Sequence, residues 1–494
     1  MALPSEACVS IHTLPPEVWL TIAPMLGLKD WRSLRQVGKR MFWMMNSESI
    51  AREVVKPNIA FTKEGKRAIN GTMPHVEALG RVSRMREAYA NADPSSVALL
   101  AYGEDFLYND GVLFYISAFK VCIIRVHDIQ AKPICVTPVF PLEVGLFSFL
   151  YYKDGILSYQ QRSHLLFVDA GSWKVLAKKP LPDSGLAFVR NNTSFLYYGE
   201  LRVDGWFITG INLLHPGDSD RTVHLESVEG SDIGKTICFE IFGRNLYAVS
   251  TEAAARDEIS GNSFYACQKV CLETGEKSSK RIWRRANNEG PIHDSWTSLS
   301  LQVDESNEQI AIVECRQEWL DGQSSLRRTC YTQSLDFLGP EDPRKRLPRY
   351  SHSECPDNDF TLKNTKFHDY SLASKTFIDF VSDSSGHLFL RFASCSPKSP
   401  IDENGFLYPP IVFDNEGRSV EGSEEHFVSH KAKLWPCPSG NIEPIRVMRD
   451  ESALVYSTKS VKIPGMKDII LIGFNPAIKQ STSTPTATST VGYC

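Results

Sequence analysis

From about Val97 onward, for roughly 350 residues, the chain is built of short apolar and aromatic runs of strand length, each broken by Gly, Asp or Asn. "GVLFYISAFKVCIIRVHD" (residues 111–128) supplies two strands and "GILSYQQRSHLLFVDAGSWKVLA" (155–177) two more. "TICFEIFGRNLYAVST" (236–251) and "TFIDFVSDSSGHLFLRFAS" (376–394) repeat the pattern. Turns at Asp169, Glu273, Asp304, Asp383 and Asp414 join several pairs, with Gly or Asn to take the positive φ that tight turns demand. No helix-length amphipathic pattern follows Ala92. Similar hairpins recur about every 45–65 residues, which suits a radial array of small antiparallel sheets. The expected fold class is therefore mainly β: a β-propeller-like domain of about six or seven blades, behind a small α-helical N-terminal piece. The repeat is degenerate and the Trp-Asp dipeptide is absent, so a β-sandwich or two β domains is the alternative.

Composition narrows the function classes. The 494 residues carry 54 basic and 58 acidic side chains, a formal net charge of −4, which argues against a nucleic-acid binder. The first residues lack a basic start and an apolar run, so no secretory leader is expected. No apolar stretch reaches the ~18 residues of a membrane span. The expected location is intracellular, cytoplasmic and/or nuclear, and the 12 cysteines are expected as reduced, mostly buried thiols. In that setting the glycosylation triplets at Asn70 and Asn191 are chance matches.

The organisation predicted is a disordered lead over 1–12, a helical domain over 13–50 and a mainly helical linker over 51–96. The β-propeller-like domain follows over 97–474, with a Pro- and charge-rich loop at 338–364, then a disordered Ser/Thr-rich tail over 475–494. Within the linker, Val76, Leu79, Val82, Met85 and Tyr89 recur at three- and four-residue steps, predicting a helix over His75 to Ala92.

The front piece, "LPPEVWLTIAPMLGLKDWRSLRQVGKRMFWMM" (14–45), reads as three short helices. Pro15 and Pro16 precede Glu17, suiting a first turn, and Val18, Ile22 and Leu26 form one apolar stripe. Pro24 predicts a kink or an early end, Gly27 a stop and Asp30 an N-cap. Trp31, Leu34 and Val37 give a second apolar face, and Lys39 to Met44, with Met41, Phe42 and Trp43, lead into a third short helix. So small a unit cannot enclose all these side chains, so either the following domain or a partner protein covers them.

These residues resemble an F-box. The resemblance rests on Leu14-Pro15, Glu17, the Val18/Ile22/Leu26 stripe, the Leu28-x-Asp30 step, Leu34, Val37, Lys39-Arg40 and the aromatics Phe42 and Trp43. Gly38 departs from it, standing where the family commonly has cysteine. The resemblance implies docking on the Skp adaptor and, through it, a cullin, with Leu14, Pro15, Val18, Ile22, Leu26, Leu34, Val37 and Arg40 as adaptor-binding residues. It implies a non-catalytic substrate-recognition subunit of a Skp–cullin–F-box (SCF) ubiquitin ligase, whose β domain holds a protein substrate. A non-ligase F-box scaffold and, more remotely, a β-propeller enzyme are the alternatives. Which aromatics brace the unit and which face outward is open from the residues alone, as are the substrate-binding residues.

Other chemistry is absent from the pattern. No nucleophile elbow, phosphate loop, zinc-protease helix or dinucleotide fingerprint occurs, so no catalytic residue and no cofactor is expected. His426 and His430 with Cys437 lack a second ligand pair, and Cys267 and Cys271 read as strand packing, so no metal is expected. The basic runs Arg344 to Tyr350 and Lys280 to Arg285 read as solvated segments.

Overall fold

The computed structural model describes residues 14–478 apart from 129–132, 137–146, 181–186, 216–219, 252–263, 272, 285–291, 306, 321–322, 338–350, 356–364, 375, 383–387, 396–426, 434–445 and 461. Packing divides the chain into two compact units, Met1–Tyr89 with Val303–Gln309, and Ala90–Gln302 with Ile310–Cys494.

In the second unit the described residues form seven four-stranded sheets. In six of them four consecutive strands pair in chain order: residues 106–136, 147–180, 187–225, 237–283, 292–355 and 365–433, blades 1 to 6. Inner strands of successive blades touch, Phe106–Asn109 against Phe147–Lys153 and that against Ala187–Asn191. Blade 7 joins Val447–Arg449, Ala453–Lys459 and Lys467–Gly473 to the strand Ser96–Gly103. Its inner strand, Val447–Arg449, meets that of blade 1, so the array closes. The chain carries a seven-bladed β-propeller.

The strands read as continuous apolar runs because both faces of a blade are covered. Leu113, Phe114, Tyr115 and Ile116, four in a row, are all buried, as are Leu165 to Val168. Turn chemistry departs from expectation in places. The positive φ at the Asp169 turn falls on Trp173 (59°), and at the Asp304 turn on Glu308 (58°); Gly275 (75°) takes it at the Glu273 turn. The turns at Asp383 and Asp414 lie outside the described residues.

Closure is a ladder between the two ends of the propeller. Ser96–Gly103 pairs antiparallel with Lys467–Gly473, Ser96 opposite Gly473. The Ser95 hydroxyl lies 2.9 Å from the Gly473 carbonyl and 3.1 Å from that of Asn475. A Cβ on Gly473 would sit 2.4 Å from Ser96 Oγ, so a larger residue there would force the Ser96 hydroxyl to turn away.

Polar side chains tie the blades. The Glu240 carboxylate accepts from Lys153 Nζ at 3.0 Å and from the Tyr151 hydroxyl at 3.3 Å, and Arg190 Nε lies 3.4 Å away. These residues come from the inner strands of blades 2, 3 and 4, and burial, with the Glu240 charge, pushes the Tyr151 hydroxyl well above its usual range. Between blades 4 and 5 the fully buried Glu314 receives Arg284 Nε at 3.0 Å and the Tyr265 hydroxyl. The Asn191 side chain is itself buried and donates to the Lys153 carbonyl, which leaves no room for a glycan.

Two cysteines are not free thiols as expected. Cys122 and Cys135 face each other across a ladder of blade 1 and are disulfide-bonded. His426 and Cys437, and the side chains of Arg344 to Tyr350, lie outside the described residues. No helix among the described residues is long and apolar enough to cross a membrane.

The first unit is helical: α1 (Pro16–Ile22), α2 (Leu28–Leu34), α3 (Lys39–Met45), α4 (Glu48–Asn58), α5 (Lys63–Ile69) and α6 (His75–Asn91). Its core is one cluster. α1 to α3 contribute Trp19, Leu28, Trp31, Met41 and Met45; Ile50, Ala51, Val54, Val55, Ala68, Ala78, Leu79 and Val82 come from α4, α5 and α6. The stretch expected as a linker thus supplies more than half of the helical core. Ala92, at φ 53°, ends α6 in the left-handed conformation where glycine is usual.

Replacing Glu314 with alanine removes the buried carboxylate that Arg284 and the Tyr265 hydroxyl bond. Urea denaturation of the propeller is expected to show a loss of about 3–5 kcal/mol; a loss below about 1 kcal/mol contradicts this reading of the inter-blade tie.

Candidate docking surface

The local sequence of the front helices decides which side chains point in. Pro15 is the N-cap of α1 and Pro16 its first residue, so neither withholds a needed N–H, and Glu17 sits at the positive end of the helix. α1 stops at Ile22, and a 3₁₀ turn over Ala23–Met25 takes Pro24 at its start, the early end expected of that proline. Asp30 is not the N-cap of α2. Gly27 holds that place, and the Asp30 carboxylate reaches back to its N–H at 3.3 Å, satisfying an orphan donor from inside the first turn. At Gly38 no atom lies within 4 Å of where a Cβ would stand, so within this chain the glycine costs no packing contact.

The aromatics divide into two pairs. Trp19 and Trp31 are buried, at 1% and 0% exposure, and Trp31 Nε1 donates to the Met45 carbonyl at 3.0 Å, joining α2 to the end of α3. Phe42 and Trp43 point outward, 42% and 73% exposed, with ring centroids 5.7 Å apart and edge-on. Arg35 bridges the pairs: its guanidinium carbon lies 4.5 Å from the Trp31 ring and 5.5 Å from the Phe42 ring. Partial burial, then the charges of Arg84 and Arg32, pull the Arg35 guanidinium below its ordinary value.

The eight adaptor-binding residues implied by the resemblance split likewise. Leu14, Ile22, Leu26 and Leu34 are half-buried and pack on the margin of the helical core. Pro15, Val18, Val37 and Arg40 are exposed. Met25, Phe42 and Trp43, outside that set, are the other large apolar side chains left bare on α1 to α3 and their turns, with Leu20. Spacing alone could not find them, because Trp19, Trp31 and Trp43 all fall on plausible helical stripes. What separates them is the cover that α4 to α6 provide.

A cleft of about 710 Å³ lies in the same unit, walled by Glu48, Arg52 and Lys56 of α4 and by Ile69, Met73 and His75. Sequence reasoning did not single it out. Lys56 is engaged by Glu53 at 2.6 Å, and His75 Nδ1 lies 2.5 Å from the Glu48 carboxylate. Burial raises the Glu48 carboxyl, but hydrogen bonds from the His75 ring and amide outweigh it and hold it below the usual carboxylate range.

No protein-family model matches the chain, and no curated protein matches it in sequence. Solved structures resemble the chain weakly. The WD40 domain of SCAP from fission yeast is 9% identical over 78% of this chain and 99% of its own, at a TM-score of 0.39. Kluyveromyces lactis Hsv2 is 12% identical over 72% and 90%, at 0.36. The CNH domain of AfRom2 is 9% identical over 76% and 98%, also at 0.36. At such scores the likeness carries no argument, and the fold and its blade count rest on the hydrogen-bonded ladders.

The division into bracing and bare aromatics is measurable in the free protein. Trp31→Ala is expected to destabilise the helical unit by about 3–5 kcal/mol, while Trp43→Ser stays within about 0.5 kcal/mol of the parent. Differential denaturation of the two variants checks this; equal losses contradict the assignment.

Proposed function

We propose that the protein is the substrate-recognition subunit of an SCF-type ubiquitin ligase, and that it performs no chemistry itself. In this reading the helical unit docks on the Skp adaptor. The propeller holds a protein substrate so that a ubiquitin-loaded enzyme, brought by the cullin, reaches a substrate lysine. The rate gain is one of proximity: tethering raises the effective concentration of lysine and thioester.

The observation that carries the reading is what remains bare after the helical core is complete. Val18, Met25, Val37, Phe42 and Trp43 stay 39–81% exposed in a segment whose order and spacing resemble an F-box. Exposed large apolar side chains on one small unit mark a protein-binding face, and a Trp with its neighbouring Phe is the kind of anchor that dominates such interfaces. The exposed Arg40 and Lys39 supply a polar rim. A seven-bladed propeller suits the second role, because its loops are carried on short, mutually braced sheets.

The test uses the exposed positions, since Ile22 and Leu26 also pack on the core. In the full chain, Val18→Asp with Val37→Asp is expected to lower co-purification of a Skp-type adaptor and cullin at least about tenfold, with unchanged thermal unfolding. Undiminished capture overturns the docking assignment. Capture of adaptor without cullin from the parent chain overturns the ligase and leaves a non-ligase scaffold.

A further inference from the structure

Blade 1 ends in a strand that packing barely holds. Its outer strand, Ile134–Val136, has three residues; Ile134 and Cys135 are exposed and Val136 half-buried. Ile134 is 58% exposed, so the strand brings almost no apolar surface to the blade. Its ladder to the third strand, Lys120–Arg125, pairs Val121 with Val136, Cys122 with Cys135 and Ile123 with Ile134. A three-residue edge strand without a buried face is marginal on backbone pairing alone. Among the described residues, the covalent link across the middle pair, Cys122–Cys135, is the further tie.

The two cysteines differ in exposure. Cys122 is 3% exposed and belongs to the core formed with Tyr115, Ile124 and residues of blade 7. Cys135 lies on the open edge. Among the described free thiols, Cys238, Cys267 and Cys315 are buried, and burial pushes the first two well above the usual thiol range, whereas Cys271 is half-buried and hydrogen bonding at Thr274 holds it below that range.

We propose that Cys122–Cys135 is a thiol-operated clasp that sets whether the outer strand of blade 1 is paired. The co-reactant is a dithiol reductant. One of its thiolates attacks Sγ of the exposed Cys135; the protein S–S bond breaks as a mixed disulfide forms, and the electron pair leaves on Cys122 Sγ, which takes a proton from water. The second thiolate of the reductant then closes on its own mixed-disulfide sulfur and expels the Cys135 thiolate, which is protonated in turn. The protein gains two electrons and two protons, and the reductant becomes its cyclic disulfide. Burial of Cys122 sets the direction of attack. Release of Ile134–Val136 uncovers the free edge of Lys120–Arg125 and leaves the three inner strands packed as before.

The test is peptide-resolved hydrogen exchange and thiol alkylation on the full chain, with and without dithiothreitol. Without reductant, neither Cys122 nor Cys135 is expected to alkylate. With it, Cys135 alkylates before Cys122, and exchange over residues 134–136 and over their pairing partners 121–123 quickens at least about tenfold, with exchange over residues 106–117 unchanged. Cys135→Ser is expected to reproduce the reduced pattern without reductant. Alkylation of both thiols before reduction overturns the proposal, as does unaltered exchange over 134–136 after it. Quickened exchange across the whole propeller also overturns it, since the bond is then a structural staple.

Discussion

The ladder between Ser96–Gly103 and Lys467–Gly473 is the constraint on which the propeller depends. Each blade has an inner strand that meets its neighbours and an outer edge that must be left, blunted or covered. A linear array would leave the faces of its first and last blades wet. Borrowing the first strand to finish the last sheet joins those two faces, and the core then runs on from blade to blade. Ala101, Phe106 and Tyr115 share one cluster with Val455, Ile469 and Leu471, so the start and the end of the domain are a single piece of interior. The glycine at 473 leaves room there for the Ser96 hydroxyl.

The helical unit solves a different problem. Seven-residue helices such as α1, α2 and α3 are too short to stand alone. Their stability comes from burying Trp19 and Trp31 under α4 to α6. Once those are covered, Val37 and Trp43 stay exposed among the described residues. The described unit has a closed core and is still apolar on part of its outside, the physical form expected of a docking module.

Much of this was legible in the residues, for a stated reason in each case. Blade strands such as Val112–Ser117 and Lys120–Arg125 announce themselves because both faces are buried and the apolar run is unbroken. The helix over His75–Asn91 shows through the spacing of Leu79, Val82, Met85 and Tyr89, all buried. Ladder closure was not legible, because no local signal pairs residue 96 with residue 473. The Cys122–Cys135 bond depends on the register of two strands, which a one-residue slip would undo. Spacing likewise could not sort Trp31 from Trp43, nor place Asp30 inside α2 instead of before it. Those outcomes turn on which later helix lies over which face and on a choice between Gly27 and Asp30 as cap.

The central claim is that the face left bare on α1 to α3 is where this protein meets an adaptor. Hydrogen exchange of the full chain, alone and with saturating purified Skp-type adaptor, tests it most directly. The account predicts slowed exchange over residues 16–45, with the propeller blades unchanged. Protection confined to the propeller, or no protection over 16–45 at saturation, contradicts it.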